Sequence, residues 1–321
     1  MNRLFLLAAL FAVSACDSAG SDPFVAQPVV SAFLEADASF PDVRVTRTVA
    51  LGDVYDPATA AIVGAAVRIE RLAADSTVDG TVPYVYDAER RVYVPDGARP
   101  GVEPGRTYRL VVTALGREMT AETTVPQAIG LVEGPPAEIG YQSNPGGPSV
   151  RITTSSVAGR QSVYIASTLA LAPDAFTPFQ DGGATRFRSQ NLPGRFRPVP
   201  IVRQFLDCDD VGGALECDED PTDAAAGTSP VINETSYTLL PDGTALVNVP
   251  WLAFGFYGPA ALSLVALDDA LLDFVETQTL QQNPTTISPG EIPNVTTNVR
   301  GGLGVFGSFS RVTAQTTVLE R

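Results

Sequence analysis

Apolar and polar residues alternate in short runs over the first third of the chain. That period of two leaves little room for anything but β-strands. Val43, Val45, Val49 and Leu51 interleave with Arg44, Thr46 and Thr48. Successive strand side chains point to opposite faces, so such a run has one buried and one wet face. Residues 29–34 read as a first strand, and Val67 with Ile69 marks another. Tyr84-Val85-Tyr86 and Val92-Tyr93-Val94 flank a short polar turn, as in a hairpin. Pro104-Gly105 is a turn signal. Tyr108, Leu110 and Val112 alternate up to Gly116, and Met119, Ala121, Thr123 and Val125 alternate away from it. About seven short strands in about 100 residues predict a β-sandwich over residues 25–127, closed by Pro126.

Residues 128–321 read as a second, β-rich domain. Strands are predicted at 150–154, 162–171 and 260–266, and at Val312, Ala314, Thr316 and Val318. Residues 237–240 and 245–249 form a hairpin around Pro241-Asp242-Gly243. One helix is predicted near 267–282, where Leu267, Ala270, Leu271, Phe274, Val275 and Gln278 recur at helical spacing. Asp268 and Asp269 stand at its start, where the helix dipole favours negative charge. Asn283-Pro284 ends it. The fold class is therefore mainly β: a sandwich followed by a β-rich domain with one helix. The stretch from Gly64 to Val112 resembles immunoglobulin-like or transthyretin-like domains, a likeness that says little about function.

The first 15 residues read as a secretory signal. Asn2-Arg3 is a short charged start, residues 4–13 are apolar, and Ser14-Ala15 precede Cys16. A membrane-spanning helix needs about 20 apolar residues, so this run is too short to be one. The pattern resembles a bacterial lipoprotein signal, which implies cleavage before Cys16 and lipidation of its thiol. Ordinary secretion with cleavage after Ala15 is the other reading. Residues 16–24 would be the lipidated cysteine and a flexible tether, and the expected location is the outer membrane, on its periplasmic or its outer face.

Composition removes whole classes of chemistry. The 321-residue chain has a net charge of -15, with 36 acids against 21 bases and no histidine. All of the bases are arginine. Ser-His-Asp and Cys-His catalysis lack their proton shuttle. Histidine-ligated metals, a P-loop and a Schiff base are likewise excluded. So acidic a chain is a poor partner for nucleic acid, and no cofactor is expected. With Cys16 acylated, Cys208 and Cys217 are left as a disulfide pair suited to an oxidising compartment.

The last fifty or so residues carry the most specific pattern. The helix leads to Asn298-Val299-Arg300-Gly301-Gly302-Leu303-Gly304-Val305-Phe306-Gly307. Together with Cys16, Val29-Val30, Gly64-Ala65-Ala66-Val67 and Pro104-Gly105-Arg106-Thr107-Tyr108, it resembles a family of Bacteroidota lipoproteins known only as domain of unknown function 4249. That resemblance implies an envelope protein, often associated with TonB-dependent outer-membrane transporters, and brings no catalytic residues. The insert with Cys208 and Cys217 departs from the family pattern.

Several candidate sites follow. Residues 302–307 formally match G-x-G-x-x-G, but a nucleotide site needs a helix after the glycines, and a strand pattern follows here. The expected role is structural, with Leu303, Val305 and Phe306 entering the core. The functional alternative is a partner surface at Gly301, Gly302, Gly304, Phe306 and Gly307. Asp207, Asp209, Asp210, Glu216, Asp218 and Asp220, with Asp223, form either a solvated acidic loop or a weak calcium site. Arg186, Arg188, Arg195, Arg197 and Arg203, interleaved with Phe187, Phe196 and Phe205, either grip an anionic ligand or match the neighbouring acids. Asp269, Asp273 and Glu276 are expected on a solvated helix face. Trp251, with Phe254, Phe256 and Tyr257, reads as core, or as a sugar- or interface-facing patch. The expected function is a non-catalytic accessory or ligand-binding subunit of a TonB-dependent transporter. The alternatives are a stand-alone adhesin or structural lipoprotein and, third, a carboxylate-based hydrolase.

Overall fold

The computed structural model describes residues 24–50, 52–97, 100–157, 160–171, 177–178, 180–181, 184–185, 226–282 and 295–320. In chain order the first strands are β1 (Pro28–Glu35), β2 (Arg44–Arg47), β3 (Ala66–Leu72), β4 (Val78–Asp87), β5 (Val92–Pro95), β6 (Thr107–Ala114) and β7 (Arg117–Thr124), with the short helix α1 (Pro57–Ala60) between β2 and β3. Then come β8 (Leu131–Glu133), β9 (Glu138–Gly140), β10 (Ser149–Thr153), β11 (Ser156–Val157), β12 (Arg160–Gln161), β13 (Tyr164–Ala170), β14 (Thr177–Pro178), β15 (Gln180–Asp181) and β16 (Ala184–Thr185). The last are β17 (Ala226–Thr228), β18 (Tyr237–Leu239), β19 (Thr244–Asn248), β20 (Phe256–Leu267), helix α2 (Asp269–Gln282) and β21 (Leu303–Leu319).

An eight-stranded sheet is the centre of the molecule. Its order is β17-β13-β20-β21-β1-β2, with β14 added against β20 and β9 against β21. A five-stranded sheet, β5-β4-β3-β6-β7, and a four-stranded sheet, β18-β19-β10-β8, lie beside it. Side-chain parity sorts the layers. On β21, Phe306 enters one core and Val312 and Val318 a second, whereas Val305 and Phe309 face the opposite side. On β20, Leu262, Leu264 and Ala266 point one way and Val265 and Leu267 the other. One face of the central sheet is therefore covered by both smaller sheets, and the other by α2 through Leu271 and Val275.

The first core joins the five-stranded sheet (Ile69, Tyr84, Tyr108, Leu110, Val112, Met119) to Val30, Ala32 and Leu34 of β1, Val45 of β2 and Phe306 of β21. This is the expected sandwich, in a mainly β protein. Its second layer, however, is built from both ends of the chain. β1 pairs parallel with β21 from Val29↔Leu303 to Glu35↔Phe309. Hydrogen bonding thus crosses the division at 127/128 that the sequence suggests. The second core packs Tyr164, Phe256, Leu262 and Leu264 of the central sheet against Ile152, Ala245 and Val247 of the four-stranded sheet.

Several predicted elements change length: β2 ends at Arg47, before the alternation reaches Val49, and β20 begins at Phe256 rather than at residue 260. The helix starts at Asp269, two residues later than its periodicity suggests, because Leu267 still pairs with Phe309 in the sheet. The closing strand begins at Leu303 rather than Val312.

Because β21 feeds all three cores, loss of one of its buried side chains should be felt throughout. Phe306→Ala is expected to cost about 3–5 kcal/mol. In urea, Trp251 fluorescence and far-UV circular dichroism should lose structure in one coincident transition, in wild type and variant alike. Two separated transitions would mean that the units fold independently.

Candidate functional site

The glycine-rich segment is an interior joint. Asn298 sets it up: its Oδ1 accepts the Phe306 N–H at 3.0 Å, and its Nδ2 donates to the Phe306 carbonyl at 2.8 Å and to the Glu122 carbonyl at 3.1 Å. Arg300 and Thr120 exchange both main-chain hydrogen bonds, which ties the segment to the edge of β7. Gly301, at φ +82°, and Gly304, at φ +117°, adopt backbone conformations that L side chains disfavour. A Cβ on Gly304 would collide with the Val30 carbonyl, and one on Gly301 with the Glu118 carbonyl. A Cβ on Gly302 would strike the Met119 sulfur. A Cβ on Gly307 would lie 2.8 Å from Leu271 Cβ, so this glycine lets α2 sit directly on β21.

Phe306 and Gly307 are buried and closed to a ligand or partner, which removes them from the candidate surface. Leu303 also departs from expectation: it is 37% exposed, while Val305 and Phe306 do enter the core. Its position at the start of β21, before the strand is covered, accounts for this.

Asp268, which the sequence places only at the start of the helix, is a buried carboxylate beside this joint. Asp268 is the N-cap of α2, its Oδ1 accepting the Leu271 N–H at 2.9 Å. The same oxygen accepts the Ser308 N–H at 3.1 Å, while the Asp268 N–H donates to the Ser308 carbonyl at 3.0 Å. The side chain therefore continues the β20–β21 ladder where the main chain turns into the helix. Oδ2 accepts the Thr123 hydroxyl of β7 at 2.5 Å, and Thr123 Oγ1 lies 2.6 Å from Ser308 Oγ. Burial pushes the Asp268 carboxyl up to about 6, against the opposing pull of these hydrogen bonds. Its neighbour Asp269 is by contrast an exposed partner of Arg160, at 2.5 Å. Asp273 and Glu276 are exposed, as expected of a solvated face.

The site open to a ligand lies at the other end of β21. A cleft of about 570 Å³ is lined by residues 133–136, 138–140, 143–144 and 148–149, and by Trp251. Its walls are the end of β8 at Glu133, the whole of β9 and the loops around them. β8 pairs with β10 alone among the described strands, and β9 pairs with the end of β21. Glu133 and Glu138 are exposed at the cleft. Trp251 begins a 3-10 turn, packs against the second core and is half-buried. Its Nε1–H donates to the Asn144 carbonyl at 2.6 Å, and its ring meets Tyr141 edge-on at 5.4 Å. It is thus at once core and cleft wall. Phe254 and Phe256 are buried. The cleft could not be read from sequence, since Glu133 and Trp251 are far apart in the chain.

Cys16, Cys208, Cys217, the carboxylates of residues 207–223 and the arginines of residues 186–203 lie outside the described residues. Among the described residues, no helix is long and apolar enough to cross a membrane.

A family model described as a domain of unknown function (DUF4249) matches residues 21–315. The chain belongs to this family. The match takes in both ends of the β1–β21 pairing and the whole of the 298–307 joint. No catalytic family is found for this DUF4249 chain, and no curated protein matches it. Among solved structures it is similar to Escherichia coli alpha-2-macroglobulin activated by porcine elastase, at 12% identity and a TM-score of 0.24, over 93% of this chain and 24% of that one. It is also similar to Salmonella alpha-2-macroglobulin reacted with methylamine, at 12% identity and a TM-score of 0.21, over 93% of this chain and 15% of that one. The chain spans less than a quarter of those proteins, and likeness at this level carries no functional argument.

Two substitutions test the joint. Gly304→Ala should destabilise the protein by about 3 kcal/mol or more, from backbone strain plus the clash with Val30. Gly243→Ala, at φ +80° but in open space, should cost only about 1 kcal/mol. Urea unfolding separates the two.

Asp268→Asn keeps an acceptor for both main-chain N–H groups and removes the titration. The folded state holds the Asp268 proton more tightly than the unfolded state does. This contribution to stability is therefore full below about pH 4 and is lost as pH rises through about 6. Going from pH 7.5 to 4.5, the wild type should gain about 2 kcal/mol relative to the variant. Parallel stability–pH curves would show that the carboxyl does not titrate in this window.

Proposed function

We propose that this protein is a lipid-anchored, non-catalytic component of the cell envelope, serving as an accessory or ligand-binding subunit beside a TonB-dependent outer-membrane transporter. The cleft between β8 and β9 is its recognition site. The observation that carries this reading is the combination, at that cleft, of the end of β8, a strand that pairs with β10 alone among the described strands, two exposed carboxylates and a tryptophan wall. An extended segment can add to the β8 edge through main-chain hydrogen bonds, and Glu133 and Glu138 would favour polar or basic side chains on it. The absence of histidine and lysine from the sequence supports binding rather than acid–base or covalent chemistry. Lipidation at Cys16 would supply proximity to a partner in the same membrane, which raises its effective concentration.

The test is a mild-detergent pull-down of the tagged protein from native membranes, read by mass spectrometry. A TonB-dependent barrel should be recovered in near-equal amount. Glu133→Gln combined with Glu138→Gln should reduce its recovery severalfold with the circular dichroism spectrum unchanged. Recovery of the lipoprotein alone, under conditions that preserve a known transporter complex, would move the adhesin reading to first place.

A further inference from the structure

Exposed apolar side chains gather at the end of the molecule from which the N-terminal tether leaves. Residues 24–27 run beside the end of β2, where Gln27 and Thr48 exchange hydrogen bonds at 2.9 and 3.0 Å. A turn closed by Asp53 N–H to the Ala50 carbonyl follows and leads to Val54. The parallel register sets Leu303 beside Val29 at the start of β1. Gly302 lies against Met119 and the Pro28 carbonyl, which brings the β6–β7 hairpin tip, with Leu115, to the same end. Val54 is 91% exposed, Val25 66%, Phe24 52% and Leu115 49%.

The five-stranded sheet carries this apolar cluster at the β6–β7 side of one end, whose β4–β5 turn, on the other side, holds Asp87, Glu89, Arg90 and Arg91, with Arg90 paired to Asp42. Its far end is ionic: Arg71 pairs with Asp79 at 2.7 Å and with Glu103 at 2.5 Å, and Arg106 pairs with Glu103 at 3.0 Å and with Asp79 at 3.2 Å. At the tether end, residues 24–27, 47–56, 115–118 and 300–303 hold Arg47, Arg117 and Arg300 against Asp53, Asp56 and Glu118. These charges sum to zero in a chain whose net charge is -15.

We infer that this end rests on the lipid bilayer, with Phe24, Val25, Val54, Leu115 and Leu303 entering the headgroup region. The inference rests on the lipid-anchor reading, under which Cys16 is held in the membrane. Phe24 is eight residues from Cys16, a span of at most about 28 Å when fully extended and roughly 16 Å as a flexible coil. The apolar end is thus tethered within reach of the surface that holds the lipid. Scattered apolar residues on a soluble surface need no explanation, but a cluster at a tether does. Burial in the interface adds to acyl-chain anchoring, and the flanking arginines can reach lipid phosphates while their stems stay in the apolar layer. The charges of this face balance, so it meets less repulsion at an anionic leaflet than the rest of the acidic surface would; the tether itself adds Asp17 and Asp22.

The experiment uses the lipidated full-length protein in vesicles of phosphatidylethanolamine and phosphatidylglycerol (3:1), with and without brominated acyl chains. Val54→Trp is placed in a Trp251→Phe background, and Leu239→Trp in the same background is the control, since Leu239 is exposed on the four-stranded sheet. Flotation first establishes that the protein is anchored; failure to float would overturn the anchor reading itself. Given flotation, bromolipid should lower the fluorescence of the Val54→Trp protein at least twofold and leave that of the Leu239→Trp protein unchanged. Equal fluorescence with and without bromolipid for the Val54→Trp protein would overturn the inference while leaving the anchor intact. A second measurement guards against a perturbed fold: Val25→Asp with Val54→Asp, at two exposed positions, should abolish protection of the 48–56 loop from hydrogen exchange on vesicles. Equal protection in the wild type and this variant would also overturn the inference.

Discussion

The parallel pairing of β1 with β21 is the constraint on which the rest of the structure depends. It joins residues 29–35 to residues 303–309, so the chain must reach residue 309 before this pairing can close. Parallel neighbours need a crossover connection, and here almost the whole protein is that connection. The five-stranded sheet folds through local hairpins, but its buried face is covered only when β1 and Phe306 arrive. Loop-closure entropy must be met before such a distant pairing yields any burial. The 298–307 segment offsets this with specific contacts: the two-sided grip of Asn298 on Phe306 and the Arg300–Thr120 bridge fix the register from both sheets.

Asp268 solves a local problem that this architecture creates. β20 must leave the sheet and become a helix that packs back on the same sheet. That exit strands the Ser308 N–H on one side and the first N–H groups of α2 on the other. One carboxylate oxygen satisfies a donor of each kind, and the second oxygen reaches Thr123 on the neighbouring sheet. Desolvation of a carboxylate is costly, as its raised pKa reflects, yet leaving buried N–H groups unpaired would cost about 1–3 kcal/mol each. The charge thus sits where three elements meet and satisfies donors on all of them.

The parts of the fold that show in the sequence are those set by near neighbours. β4 and β7 alternate between a wet and a buried face, β3 and β6 do so over part of their length, and the 237–249 hairpin carries its own Pro-Asp-Gly turn. β20 and β21 were foreseen only in part. Residues 262–267 are buried on both faces, so alternation vanishes there, and residues 303–311 are rich in glycine and serine rather than β-branched residues. Asp268 and Asp269 are identical in type and adjacent, and nothing local tells the buried cap from the solvated partner of Arg160. The glycine motif was legible as structural, because a strand pattern follows it, but its contacts with β7 depend on a pairing that no local signal encodes. The cleft depends on the same long-range geometry: Glu133, Asn144 and Trp251 converge only once the second core has formed.

β21 also separates the two surfaces on which function is proposed. Leu303 pairs with the start of β1 near the tether, whereas Val318 and Leu319 pair with Ile139 and Gly140 at the cleft. Sixteen residue steps of strand span roughly 50 Å. With the tether end on the bilayer, the strand would carry the β8–β9 cleft away from the lipid, where it is reached by ligands or by the loops of a membrane-embedded partner. A lipid attached through a tether alone would leave the orientation of the cleft free. Apolar contact at the tether end would fix it, and a fixed orientation lowers the entropy lost when a partner in the same membrane is engaged.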